Sequence, residues 1–114
     1  MSTIRTTAVI SGTARMVSFD GEKLTACIRA KCQARPGLFE RLDDAAYLGM
    51  ADVLAESLTS WDLMDAGGQP VRLCTDAIDD LKYSDIEAVF VAIGEASLAA
   101  DLTEWKPPVG GLLN

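Results

Sequence analysis

Residues 13–30, TARMVSFDGEKLTACIRA, are two runs of alternating character separated by Asp20-Gly21. Asp-Gly between alternating runs is a strong short-range signal for a β-hairpin, because both residues tolerate the positive φ that a tight reversal needs. Val17 and Phe19 then share one face of the first strand, and Leu24, Ala26 and Ile28 share one face of the second. A two-stranded ribbon is marginal in water unless its apolar face is covered. The upstream stretch TTAVIS, residues 6–11, can add a third strand that breaks at Gly12, and the cover has to come from helices downstream.

Those helices are legible as apolar periodicity. After Arg35-Pro36-Gly37, the stretch from Leu38 to Leu58 places Ala46, Tyr47, Met50, Val53, Leu54, Ser57 and Leu58 at helical steps, with Asp43 and Asp44 suited to the positive end of the helix. Gly67, Gly68 and Pro70 then forbid continuation, so DLMDAGGQPVRL is expected to be a turn or small hairpin, with Leu63 on one arm and Val71 or Leu73 on the other. Thr75 can cap a short helix over DAIDDLKY. Ser84 with Glu87 reads as a capping box opening a second helix, on which Ile86, Val89, Phe90, Ile93, Ser97 and Ala100 form a stripe widened by Val91 and Leu98. The expected fold is α+β, with a small N-terminal antiparallel hairpin or sheet packed on three to four helices. One domain spans residues 1–102, and residues 103–114, with one Pro-Pro and one Gly-Gly step, are expected to form a flexible tail.

With 114 residues, the chain can bury roughly two-thirds of its unfolded surface in one core. Ten basic residues against 17 acidic ones give a net charge of −7, which repels a nucleic-acid backbone and an anionic membrane surface alike. No apolar run approaches the about 20 residues that cross a bilayer, and the first residues lack the apolar core of a secretory signal, so a cytosolic protein is expected.

Chemistry is hard to place on this sequence. There is no histidine, which removes Ser-His-Asp and Cys-His arrangements and leaves Cys27, Cys32 and Cys74 without a base or a zinc-site spacing. No phosphate-cradling glycine motif occurs, and the pairs Asp43-Asp44 and Asp79-Asp80 read as solvated helix surface. The expectation is a protein that is not an enzyme and uses no metal or cofactor. Its apolar inventory includes two tryptophans, three phenylalanines and four methionines, generous for so few elements, so some of it is expected to face a partner. The candidate contact residues are Tyr47, Met50 and Leu54 on the first long helix and Val89, Phe90 and Ile93 on the second.

The segment Trp61-Asp62-Leu63, Asp65, Gly68, Pro70-Val71 and Leu73, followed by a short and a longer helix, resembles the middle of phage tail assembly chaperones, where a similar W-x-L-x-D-x-x-G-x-P-V-x-L pattern occurs. The resemblance covers roughly residues 14–100. It implies that Trp61, Leu63, Gly68, Pro70, Val71 and Leu73 form a structural clasp. It also implies a protein that keeps the tape measure protein soluble in the host cytoplasm and helps major tail protein assemble around it, the latter through a longer form made by ribosomal frameshifting. Two other readings fit a small acidic chain: an inhibitor that decoys a host protein by imitating nucleic-acid charge, and a minor tail completion or connector protein. The spread of acidic residues from Asp20 to Glu104 weakens the decoy, which needs a concentrated acidic face.

Overall fold

The computed structural model describes residues 3–99, which fold as an α+β unit: a three-stranded antiparallel sheet packed on helices. The expected flexible tail, with Trp105, lies outside the described residues, as does Ala100. Strand β1 (Thr3–Ile10) pairs with β2 (Thr13–Asp20) across their whole length, from Thr3 opposite Asp20 to Ile10 opposite Thr13. The two-residue connection is Ser11-Gly12, with φ of 52° and 82°. Two successive positive φ values twist in the same sense as the flanking strands, which is why such turns close hairpins. A serine rarely adopts this conformation. Here its backbone N–H and hydroxyl both donate to the Asp85 carboxylate, at 3.0 and 3.1 Å, tying the hairpin tip to a helix 74 residues further along.

The hairpin is therefore built from the upstream strand, and Asp20-Gly21 does not turn the chain. Asp20 has an extended backbone and accepts from the N–H groups of Glu22 and Lys23 at 2.9 and 3.1 Å, capping helix α1 (Gly21–Ala34). The expected second strand is helical. Leu24 and Ile28 suit a strand face and a helix face equally, being four apart. Cys27 and Cys32 are partly buried beside them while Ala26 is exposed, which is the helical pattern.

A single 3-10 turn at Leu38–Glu40 leads to α2 (Asp44–Ser57), whose cap is Asp43, accepting from the Ala46 N–H at 2.9 Å. The expected helix thus starts where its acidic residues suggested, and Leu58 belongs to β3 (Leu58–Trp61), which adds to the free side of β2. The order is β1-β2-β3, with an irregularity between Ser18 and Phe19.

Two helix starts differ from expectation. Helix α3 (Thr75–Asp79) begins at Thr75 with Cys74 in the cap position and no side-chain cap, and it is shorter than DAIDDLKY. Helix α4 (Tyr83–Ala99) begins before Ser84, and Glu87 accepts a hydrogen bond from the Tyr47 hydroxyl at 3.2 Å, so the capping box does not form. The stacked rings of Tyr47 and Tyr83, with centroids 4.3 Å apart, hold the first turn of α4 against α2.

The core lies between the sheet's inner face and α1, α2 and α4. Val17, Phe19, Leu24, Met50, Val53 and Leu54 meet Val89, Phe90 and Ile93 there, and Phe39 tilts against Phe90 with centroids 5.0 Å apart. The cap that ends β2 makes a sharp prediction. Asp20→Ala removes the acceptor of two helix N–H groups and is expected to lower stability by about 1 to 2 kcal/mol in urea unfolding, whereas Asp20→Ser is expected to recover most of the loss.

Candidate functional site

The Trp61 segment folds as a self-contained turn. Asp62 exchanges hydrogen bonds with Met16, its N–H donating to the Met16 carbonyl at 3.1 Å and its carboxylate accepting from the Met16 N–H at 2.9 Å. The Val71 N–H donates to the Leu63 carbonyl at 2.9 Å, Met64 bridges to Pro70, and the Asp65 N–H donates to the Gln69 carbonyl at 2.8 Å. The Asp65 carboxylate gathers the N–H groups of Gly67 and Gln69, both at 2.9 Å, and Gly68 takes the positive φ of 78° that lets the chain reverse. Across this small hairpin the Trp61 indole N–H donates to the Val71 carbonyl at 2.7 Å. Trp61, Leu63 and Leu73 rest partly buried against the core. Gly68 and Pro70 are exposed. The segment is held in shape by its own hydrogen bonds.

The residues expected to face a partner are largely inside. Met50, Leu54, Val89 and Ile93 are completely buried and Phe90 is 1% exposed. Tyr47 is half-buried, with its ring on Tyr83. The reason is that α2 and α4 turn these stripes toward each other, so the intact fold presents none of the five buried side chains to another molecule.

The apolar surface is elsewhere. Val9 and Met16 are 55% and 49% exposed, and the register Thr7–Met16 and Val9–Ala14 puts both on the outer face of the sheet. Beside β1, a groove of about 390 Å³ opens between Thr7, Ala8 and Val9 of the strand and Ala88, Val91 and Ala92 of α4. Ser84, Glu87 and Glu95 supply its polar lining, and no cationic residue lines it. On α4 the groove residues Ala88, Val91, Ala92 and Glu95 recur at helical steps on the side opposite Phe90 and Ile93. Helix α4 is thus apolar on two faces, one sealed in the core and one turned to the groove, where Val91 is itself buried and Ala88 and Ala92 are half-buried. The signal for the groove face was present in the sequence as Ala88 and Ala92, small residues one turn apart, but only the placement of β1 beside them turns small side chains into space.

A second depression of about 500 Å³ lies between α1 and α2, lined by Cys27, Ala30, Ala34 and Ala55 and crossed by the pair Lys31–Asp52 at 2.9 Å. Burial pushes the Cys27 thiol above its ordinary value, against a smaller opposing pull from Lys31. Burial also raises Cys32. A thiol with a raised pKa holds its proton at neutral pH and is a poor nucleophile. Among the described residues no cluster of three metal-ligating side chains occurs, and no helix is long and apolar enough to cross a membrane.

Comparison with known protein families, with curated proteins and with solved structures finds no match for this chain.

The thiols give a pH-dependent test of this surface. Cys74 is exposed, so iodoacetamide at pH 7.5 is expected to modify it before Cys27 and Cys32. The rates at the latter two are expected to keep climbing through pH 9, because the thiolate forms only as pH passes their raised values. Peptide mass mapping reads the order. Cys27 reacting first at neutral pH would contradict the burial described.

Proposed function

We propose that this protein is a tail assembly chaperone of a tailed phage: it binds apolar segments of the tape measure protein, keeps that long chain soluble in the host cytoplasm, and helps bring major tail protein to it. The observation that carries the polypeptide-binding part is the groove between β1 and the second apolar face of α4, floored by buried Val91 and half-buried Ala88 and Ala92. A helix apolar on both sides is normally covered on both sides, and a half-covered strip beside exposed Val9 is surface that a client can use. The tail-assembly part is supported by the Trp61–Leu73 pattern, whose residues build a turn, as the structural clasp of the resemblance requires.

The net charge of −7 suits a holding role. A complex formed between this chain and an aggregation-prone client keeps like-charged surfaces outward, which opposes further association. Binding by apolar contact needs no nucleotide and no bond-making step, in keeping with a chain that lacks a base for its thiols.

Co-expression of the full chain with a fragment of the tape measure protein in a bacterial host tests the proposal. The fragment is expected to move from the pellet to the soluble fraction and to co-purify with the chain. A fragment that stays insoluble with the chain in excess would overturn the client-holding role.

A further inference from the structure

We infer that the free edge of β1 is a strand-addition site, at which an extended, lysine- or arginine-bearing segment of another polypeptide pairs with Arg5, Thr7 and Val9 and lays its side chains into the groove against α4. The inference rests on the client-holding reading and names its mode of contact.

The parity of the hairpin fixes which groups are available. In a two-residue hairpin the residues flanking the turn, here Ile10 and Thr13, exchange both backbone hydrogen bonds, and pairs alternate from there. Ala8, Thr6 and Ile4 therefore bond to β2, whereas Val9, Thr7, Arg5 and Thr3 direct their N–H and C=O groups away from the sheet. Because β1 is the outermost strand, those outward groups meet no partner among the described residues. An eight-residue edge without proline or bulge is a template for another strand. At the same edge Thr7 and Val9 line the groove with Ala88, Val91 and Ala92, so an added strand gains both main-chain bonds and apolar cover.

Charge selects the occupant. The ionisable residues lining the groove are Glu87 and Glu95, and Glu95 is exposed with no ion-pair or hydrogen-bond partner among the described residues. A second copy pairing β1 to β1 would bring four of these carboxylates together between two bodies of charge −7 each, which like-charge repulsion opposes. A basic strand meets complementary charge at the Thr7–Val9 end of the edge, where Glu87 and Glu95 lie, with its cationic side chains there and not beside Arg5.

The test titrates the full isotopically labelled chain with three defined decapeptides: acetyl-KVKVTVKVKT-amide, the same peptide with glutamate for every lysine, and the lysine peptide N-methylated at alternate residues. The lysine peptide is expected to bind, to shift and protect the amides of Arg5, Thr7 and Val9, and to weaken as salt rises. The glutamate and N-methylated peptides are expected to bind at least tenfold more weakly. Thr7→Pro removes one outward donor while leaving the ladder to β2 intact, and is expected to cost the lysine peptide at least tenfold, with Thr7→Ala binding as the parent does. Should Thr7→Pro fail to fold, the N-methylated peptide tests the same bonds from the other side.

Equal binding of the glutamate peptide, or shifts confined to other elements, would overturn the inference. So would protection of the three β1 amides that grows with protein concentration alone, since the occupant is then a second copy. A Thr7→Pro chain that folds yet still holds the tape measure fragment would sink the strand mode and leave the client-holding role standing. Strand pairing by the lysine peptide in a chain that does not hold the fragment would support the site and remove that client.

Discussion

The Asp20 carboxylate is the constraint on which the rest of the architecture depends. By accepting from two N–H groups of the following turn, it converts the end of β2 into the start of a helix. Had the chain reversed there, residues 24–30 would have paired with β2 and taken one of its two sides. Because they do not, β2 is free to receive β1 on one side and β3 on the other. The sheet acquires its third strand from a segment that follows α2, and the Trp61 turn that continues this strand is tied to β2 through the paired hydrogen bonds of Met16 and Asp62.

Much of this was legible where a single physical rule acted alone. The break at Gly12, the acidic start of α2 and the reversal at Gly67-Gly68-Pro70 each follow from backbone chemistry that few other conformations accommodate. Asp-Gly is different, because it serves two structures: aspartate is among the best helix caps as well as a turn former. The choice between them lies in residues that neighbour it only after folding, since Leu24 and Ile28 fit either period and the partly buried Cys27 settles for the helix. Ser84 and Glu87 fail as a capping box for a similar reason. Tyr47, 40 residues away, claims the Glu87 carboxylate.

The surface was harder to read than the core. A stripe such as Ile86, Val89, Phe90 and Ile93 announces that a helix has an apolar side but does not say what lies against it, and here α2 does. The groove side of α4 carries smaller residues and is easily overlooked, because alanine at a helical step reads as propensity. Its meaning comes from the edge of β1, which stands alongside and leaves the space unfilled. Packing one face of α4 fixes the other in place, so the hairpin tip, held by Asp85, sets the spacing between strand and helix.

The Lys31–Asp52 contact is the one ion pair among the described residues, and Asp52 is largely exposed. A surface pair of this kind contributes little, while a surplus of seven anionic groups works against compaction everywhere at once. Dissolved electrolyte therefore acts on this fold in the opposite direction from a protein laced with cation–anion contacts: counter-ions soften the self-repulsion, and melting shifts upward as sodium chloride is added in the range where screening lengths fall from about 30 to 10 Å. The medium that most weakens a grip on a basic strand is thus the medium in which the molecule itself is most secure.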